Sequence, residues 1–123
     1  MADSTLTGRR FLVVEDEYLI AADLAAALEA FGAEVTGPAG TVAEALRLVD
    51  AEGHRLDGAV LDINLGADRV YPVADVLRRR GIPFVFTTGY DAAALPQSYA
   101  DVPRCQKPTD ERRLQRCLSN LLA

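Results

Sequence analysis

Glu15, Asp16, Asp62, Thr88 and Lys107 each close or directly follow a short stretch that reads as a β-strand. FLVV leads into Glu15-Asp16, AVL into Asp62, FVFT into Thr88 and RCQ into Lys107. Lys107 is the only lysine in a chain with thirteen formal cations in all. On a solvated surface arginine serves as well, so a solitary lysine before proline points to a site that needs a compact, rotatable ammonium. If the strand ends meet, three carboxylates share one pocket and repel, and a hard divalent cation such as Mg²⁺ neutralises them. Asp62 in that setting can act as a nucleophile and form an aspartyl phosphate. The charge of the transferring group would then be divided between Mg²⁺, the Lys107 ammonium and the Thr88 hydroxyl with a backbone N–H.

Each residue also has an ordinary explanation. Asp16 suits the N-cap of the helix that follows, and Asp62 suits an Asx turn beside Asn64 and Gly66. A single threonine before Gly89 often only satisfies backbone, and a single lysine is most often a surface charge. The joint pattern favours the chemistry, because four strand ends carry complementary groups.

The elements that would position these groups alternate along the chain. Strands are expected at 11–14, 33–37, 58–63, 82–88 and, least distinctly, 103–106. The second is expected to end at Gly37-Pro38. Between Glu17 and Phe31 the apolar residues Ile20, Leu24, Leu28 and Phe31 recur at helical spacing, and Gly32 supplies a stop. Thr41-Val42-Ala43-Glu44 is a capping-box signature ahead of a stripe at Val42, Ala45, Leu46 and Val49. A third helix starts at Tyr71-Pro72 and stops at Gly81. Pro96 interrupts 91–100, so a helix there is expected to be short or irregular. A last helix opens at Thr109-Asp110-Glu111 and buries Leu114, Cys117, Leu118 and Leu121. Strands alternating with helices predict an α/β fold: a doubly wound, five-stranded parallel sheet with helices on both faces. Functional groups in such folds gather beyond the carboxyl ends of the strands, at the switch point in strand order.

Composition removes other classes. At 123 residues the chain fits one domain, 1–123, without an output domain. A net charge of −5 argues against nucleic acid as partner, and Arg78-Arg79-Arg80 reads as a solvated helix end. No apolar stretch is long enough to span a bilayer, and MADSTLTGRR lacks the apolar core of a signal peptide, so a cytoplasmic location is expected. Cys105 and Cys117 have neither metal-ligand spacing nor disulfide density and read as small buried thiols. His54 stands alone in a polar stretch, which leaves serine-hydrolase and zinc chemistry without partners.

Over nearly its whole length the sequence resembles the receiver domain of bacterial two-component response regulators. FLVVEDE is similar to the family's first strand with its acidic pair, VLDINL to the third, FTTG to the hydroxyl position and QKP to the lysine. The resemblance implies a flavodoxin-like strand order 2-1-3-4-5 and a signalling module rather than an enzyme. It implies Asp62 as phosphoacceptor, with Thr88 and Lys107 beside it. Mg²⁺ would be held by Asp16, by Glu15 through water, by Asp62 and by the backbone carbonyl of Asn64. The Lys107-Pro108 bond would be cis. Implied partners are a sensor histidine kinase and a downstream protein or phosphotransfer protein.

FTTGY is also similar to a Phe-x-Thr-Gly-aromatic subfamily of stand-alone receivers from alphaproteobacteria. Two positions depart from the family pattern: Arg104 stands where a switching aromatic is usual, with Tyr90 or Tyr99 as replacements, and Gly66 stands where proline is common. The segment from Asp62 to Thr88 is shorter than usual. The bistable element is expected in 88–103. The alternatives are a pseudo-receiver that binds partners without phosphorylation and an aspartate-dependent phosphatase. The phosphatase would need a second acid where Asn64 stands.

Overall fold

A computed structural model describes residues 6–88, 95–106 and 110–122. Its main sheet is parallel and contains β1 (Arg10–Val14), β2 (Glu34–Ala39), β3 (Gly58–Asp62), β6 (Phe84–Thr88) and β7 (Arg104–Gln106). The order is β2-β1-β3-β6-β7, so the chain starts near the middle, winds to one edge and returns to build the other. In order of appearance these are strands 2-1-3-4-5, as expected. The reversal falls between β1 and β3, and the carboxyl ends of those two strands lie side by side.

Alternation along the strands divides the core in two. Leu12, Val14, Ala59, Leu61, Phe84 and Phe86 face α2 (Val42–Glu52) and α3 (Tyr71–Arg79). Phe11, Val13, Val60 and Val85 face α1 (Tyr18–Ala30) and α4 (Glu111–Leu122). Central strands covered on both faces must be apolar throughout, which is why FLVV and AVL are continuous runs. Among the described residues no helix is long and apolar enough to cross a membrane.

Local signals explain the helix ends. The Thr41 hydroxyl accepts from the Glu44 N–H at 3.1 Å, while the Glu44 carboxylate accepts from the Gly40 N–H at 2.8 Å. Pro72 sits in the first turn of α3 and Gly81, at φ +72°, follows its end. In α4 Leu114 and Leu118 are buried, whereas Cys117 and Leu121 are partly so.

Several expectations need correction. β2 does not end at Gly37-Pro38 but continues through a cis Gly37-Pro38 bond to Ala39. Its register against β1 shifts there, and Gly37 is required: φ is +100°, and a Cβ would lie 2.9 Å from the Val13 carbonyl oxygen. Ile20 is exposed rather than core; in the first turn of α1 the buried residue is Ala21. The arginine run is not merely solvated. Arg78 donates to the Ser98 carbonyl at 2.7 Å and Arg80 to the Val49 carbonyl at 2.8 Å.

Cys105 and Cys117 are paired as a disulfide rather than standing as two thiols. Twelve residues of separation carry the chain from β7 back over that strand on α4, which brings the two sulfurs together. The fourth helix, expected to be short or irregular, is in the described part of the β6–β7 connection a single 3₁₀ turn, Gln97–Tyr99, and 89–94 lie outside the described residues.

Candidate functional site: an acidic pocket at the strand ends

Asp62 is the last residue of β3 and Glu15 follows β1 directly, so the two neighbouring strands deliver both carboxylates to one edge. Both are nearly buried, at 5% and 3% exposure, whereas Asp16 is exposed at the rim. One oxygen from each of Glu15, Asp16 and Asp62 lies within 4.8 Å of the other two. The backbone holds this arrangement in place. The Asn64 N–H donates to Asp62 Oδ1 at 3.3 Å, the Glu17 N–H donates to Glu15 Oε2 at 3.1 Å, and the Glu15 N–H donates to the Ala39 carbonyl at 2.9 Å. Three carboxylates this close repel one another when ionised, a cost that a bound cation would relieve.

On the other side stands β6. Asp62 is in register with Thr87, and Thr88, buried, comes next and aligns with Gln106 of β7. The structure thus brings Glu15, Asp16, Asp62 and Thr88 to the same edge of the sheet. Lys107, Gly89 and Tyr90 lie outside the described residues, as does the Lys107-Pro108 bond.

A feature absent from the sequence reading forms the wall beside Asp16. β4 (Asn64–Leu65) and β5 (Asp68–Arg69) make a small antiparallel hairpin across the two-residue loop Gly66-Ala67. Gly66 has φ +64°, and a Cβ built on it would lie 3.9 Å from Asp16 Oδ2. Proline cannot adopt that φ, so its absence here follows from the hairpin. The signal was legible: glycine at the first central position of a two-residue loop is a hairpin signature.

The aromatic question has a partial answer. Arg104 on β7 is exposed. Tyr99 is buried instead, stacked on Tyr71 with ring centroids 5.3 Å apart and edge-on to Phe86 at 5.6 Å. Its hydroxyl donates to the Tyr71 carbonyl at 3.4 Å, and the Arg78 guanidinium covers the ring at 4.9 Å. This cluster binds 95–103 to α3 below the pocket. Beside the acidic rim, Tyr18 and Leu19 are 83% and 75% exposed in the first turn of α1.

Comparison with known proteins agrees with this geometry. No family model matches the chain. It is similar to SdrG from Sphingomonas melonis Fr1, a solution structure, with 40% identity, 98% of this chain and 99% of that one covered, and a TM-score of 0.82. The BeF3-activated conformation of SdrG matches at 39% identity over both full chains, with a TM-score of 0.79. A response regulator receiver protein from Sinorhizobium medicae matches at 26% identity, covering 95% of this chain and 96% of that one, with a TM-score of 0.79. Among curated proteins, the transcriptional regulatory protein PdtaR of Mycobacterium tuberculosis is 34% identical over 94 residues, 76% of this chain. The chain spans 45% of the length of that relative. With the strand order, the buried acidic pocket and full-length likeness to SdrG in agreement, the chain belongs to the receiver domains of bacterial two-component response regulators.

Proposed function

We propose that Asp62 accepts a phosphoryl group and that the resulting change in charge is read by a partner protein. The observation that carries this reading is the convergence of Glu15 and Asp16 on a buried Asp62 at the switch point of the sheet. The likeness to a protein with a BeF3-activated conformation supports it, since that fluoride complex has the shape and charge of a phosphoryl group.

The residues present fit Mg²⁺. Three carboxylates that each offer an oxygen within 4.8 Å of the other two are the hard oxygen donors that such a cation would take. Asp16 and Asp62 would hold it directly, Glu15 through water, and Asn64 through its backbone carbonyl. When bound, Mg²⁺ would neutralise the carboxylates and take up charge on a phosphoryl oxygen.

The chain's own groups do the rest. An Asp62 carboxylate oxygen attacks phosphorus as the bond to a donor nitrogen, the phosphohistidine of a sensor kinase, breaks. The donor histidine leaves with the electron pair of that bond. The Asn64 N–H keeps the Asp62 carboxylate oriented, and burial keeps water from competing at the attack position. The Thr88 hydroxyl and the Lys107 ammonium take the remaining phosphoryl oxygens. The apolar rim at Tyr18 and Leu19 gives the donor protein a surface beside the pocket. The response would pass to 88–103 and on to a downstream protein or phosphotransfer protein.

Incubation with acetyl phosphate and Mg²⁺, followed by intact-mass measurement, tests this. One phosphoryl adduct is expected in the wild type, and Lys107→Arg should take it up yet respond more weakly in conformation. No adduct in the wild type would favour a pseudo-receiver, a reading to which the exposed Arg104 in place of an aromatic lends some weight.

A further inference from the structure

The two cysteines of the chain stand on the two elements that build its far edge. Cys105 is the middle residue of β7, buried at 4% exposure, and aligns with Thr87 of β6. Cys117 lies on α4, partly buried against the core that also contains Leu114 and Leu118. Their sulfurs are paired. Their Cα atoms stand 7.1 Å apart, beyond the roughly 4.4–6.8 Å that a disulfide usually spans, so making the bond and setting the β7–α4 spacing are linked. β7 has only three residues and a single strand neighbour, β6, so α4 is its main other support. β7 also leads directly into Lys107.

We propose that Cys105 and Cys117 form a reversible thiol–disulfide clasp that fixes β7 on α4 when closed and frees it when open. In a reducing compartment such bonds are transient and redox-sensing rather than structural. Closure needs an oxidant of the low-molecular-weight disulfide class. The less buried Cys117 gives up its proton, and its thiolate attacks one sulfur of that disulfide; the disulfide's S–S bond breaks and a first thiolate leaves. The Cys105 thiolate then attacks Cys117 Sγ and expels a second thiolate. Two protein thiols are oxidised, one disulfide is reduced to two thiols, and the two protons end on the leaving groups. Through β7 the clasp would tune the pocket edge, an effect that rests on the phosphoacceptor reading; the clasp itself does not.

The test begins with the reduced full chain and oxidised glutathione. The wild type should lose two hydrogens in mass and become inert to iodoacetamide, and a thiol reductant should reverse both changes. Cys105→Ser should instead retain one glutathionyl group on Cys117. Amide exchange in β7 and the first turns of α4 should slow about tenfold on closure in the wild type, because a short cross-linked loop opens less often, and should not change in Cys105→Ser.

A wild type that stops at the glutathionyl adduct, or that closes with unchanged exchange, overturns the clasp. Phosphoryl uptake from acetyl phosphate should differ about threefold between the closed and open wild type, a barrier change of well under 1 kcal/mol. Equal rates would overturn the coupling to the pocket. A chain that clasps with slowed exchange but takes no phosphoryl group in either state would sink the phosphoacceptor reading and leave the clasp standing.

Discussion

The two halves of the pocket are built by different means. On the β1–β3 side, long strands covered on both faces hold Glu15 and Asp62, and backbone N–H groups pin both carboxylates. On the β6–β7 side, Thr88 ends a buried strand, but its neighbour is three residues long. What lies between them, as far as it is described, is held by one 3₁₀ turn, an aromatic stack and Arg78. The contrast fits a site that must bind first and respond second. The half that receives charge is preorganised, which lowers the cost of orienting it. The segment 95–103, to which the proposed function assigns the response, is tied by a few separable contacts, so its rearrangement would cost less than moving a core strand.

The largest effect should come from the rigid half. Asp62→Asn is expected to abolish the acid-labile adduct, and a stoichiometric adduct in that variant would mean another acceptor. The same change removes one of three clustered charges, so in metal-free buffer its melting temperature should equal or exceed that of the wild type. Mg²⁺ should then raise the melting temperature of the wild type far more than that of the variant, because a ligand stabilises only what it binds. Asp16→Asn should weaken Mg²⁺ binding in a calorimetric titration while leaving the fold intact; an unchanged titration would contradict its place in the site.

Tyr99→Ala tests the other half. It removes a buried ring from between Tyr71, Phe86 and Arg78 and should cost about 3 kcal/mol in denaturant unfolding. If the halves are separable, Mg²⁺ affinity should stay within about twofold of wild type, less than ~0.5 kcal/mol. A large loss of Mg²⁺ affinity would show that the aromatic cluster supports the acidic side as well and that the two halves are not separable.

Most of the rigid half was legible in the sequence because its causes are local and repetitive. Continuous apolar runs announce strands buried on both faces, and a carboxylate that closes such a run is conspicuous. The transmitting half was less legible because its contacts join distant positions. Nothing near Tyr99 in sequence indicates that its ring stacks on Tyr71, and a run of three arginines looks solvated until 98–101 folds against Arg78. Ile20 was misjudged for the opposite reason. Its helical spacing is right, but at the start of α1 the buried residue is Ala21, and Ile20 stays exposed. The paired cysteines depend on how far α4 returns over β7, a distance that spacing alone does not set.

The smallest predicted effect concerns the hairpin that links the halves. Gly66 at φ +64° closes the loop between β4 and β5, and an alanine there meets no steric wall, since its Cβ would stand 3.9 Å from Asp16 Oδ2. Its cost is therefore conformational and should be about 1 kcal/mol, the penalty of a left-handed backbone for an L-residue. Where that cost falls is informative. The base of the hairpin is closed by the Val70 N–H to Ile63 carbonyl bond at 3.0 Å, and its Asn64 N–H holds Asp62. If Gly66→Ala only lowers stability, the wall is a passive spacer between acidic rim and α3. If it also slows phosphoryl uptake severalfold with Mg²⁺ affinity unchanged, the hairpin acts on the orientation of Asp62 through Asn64. In that case the rigid half would extend past the strand ends into the loop that follows them.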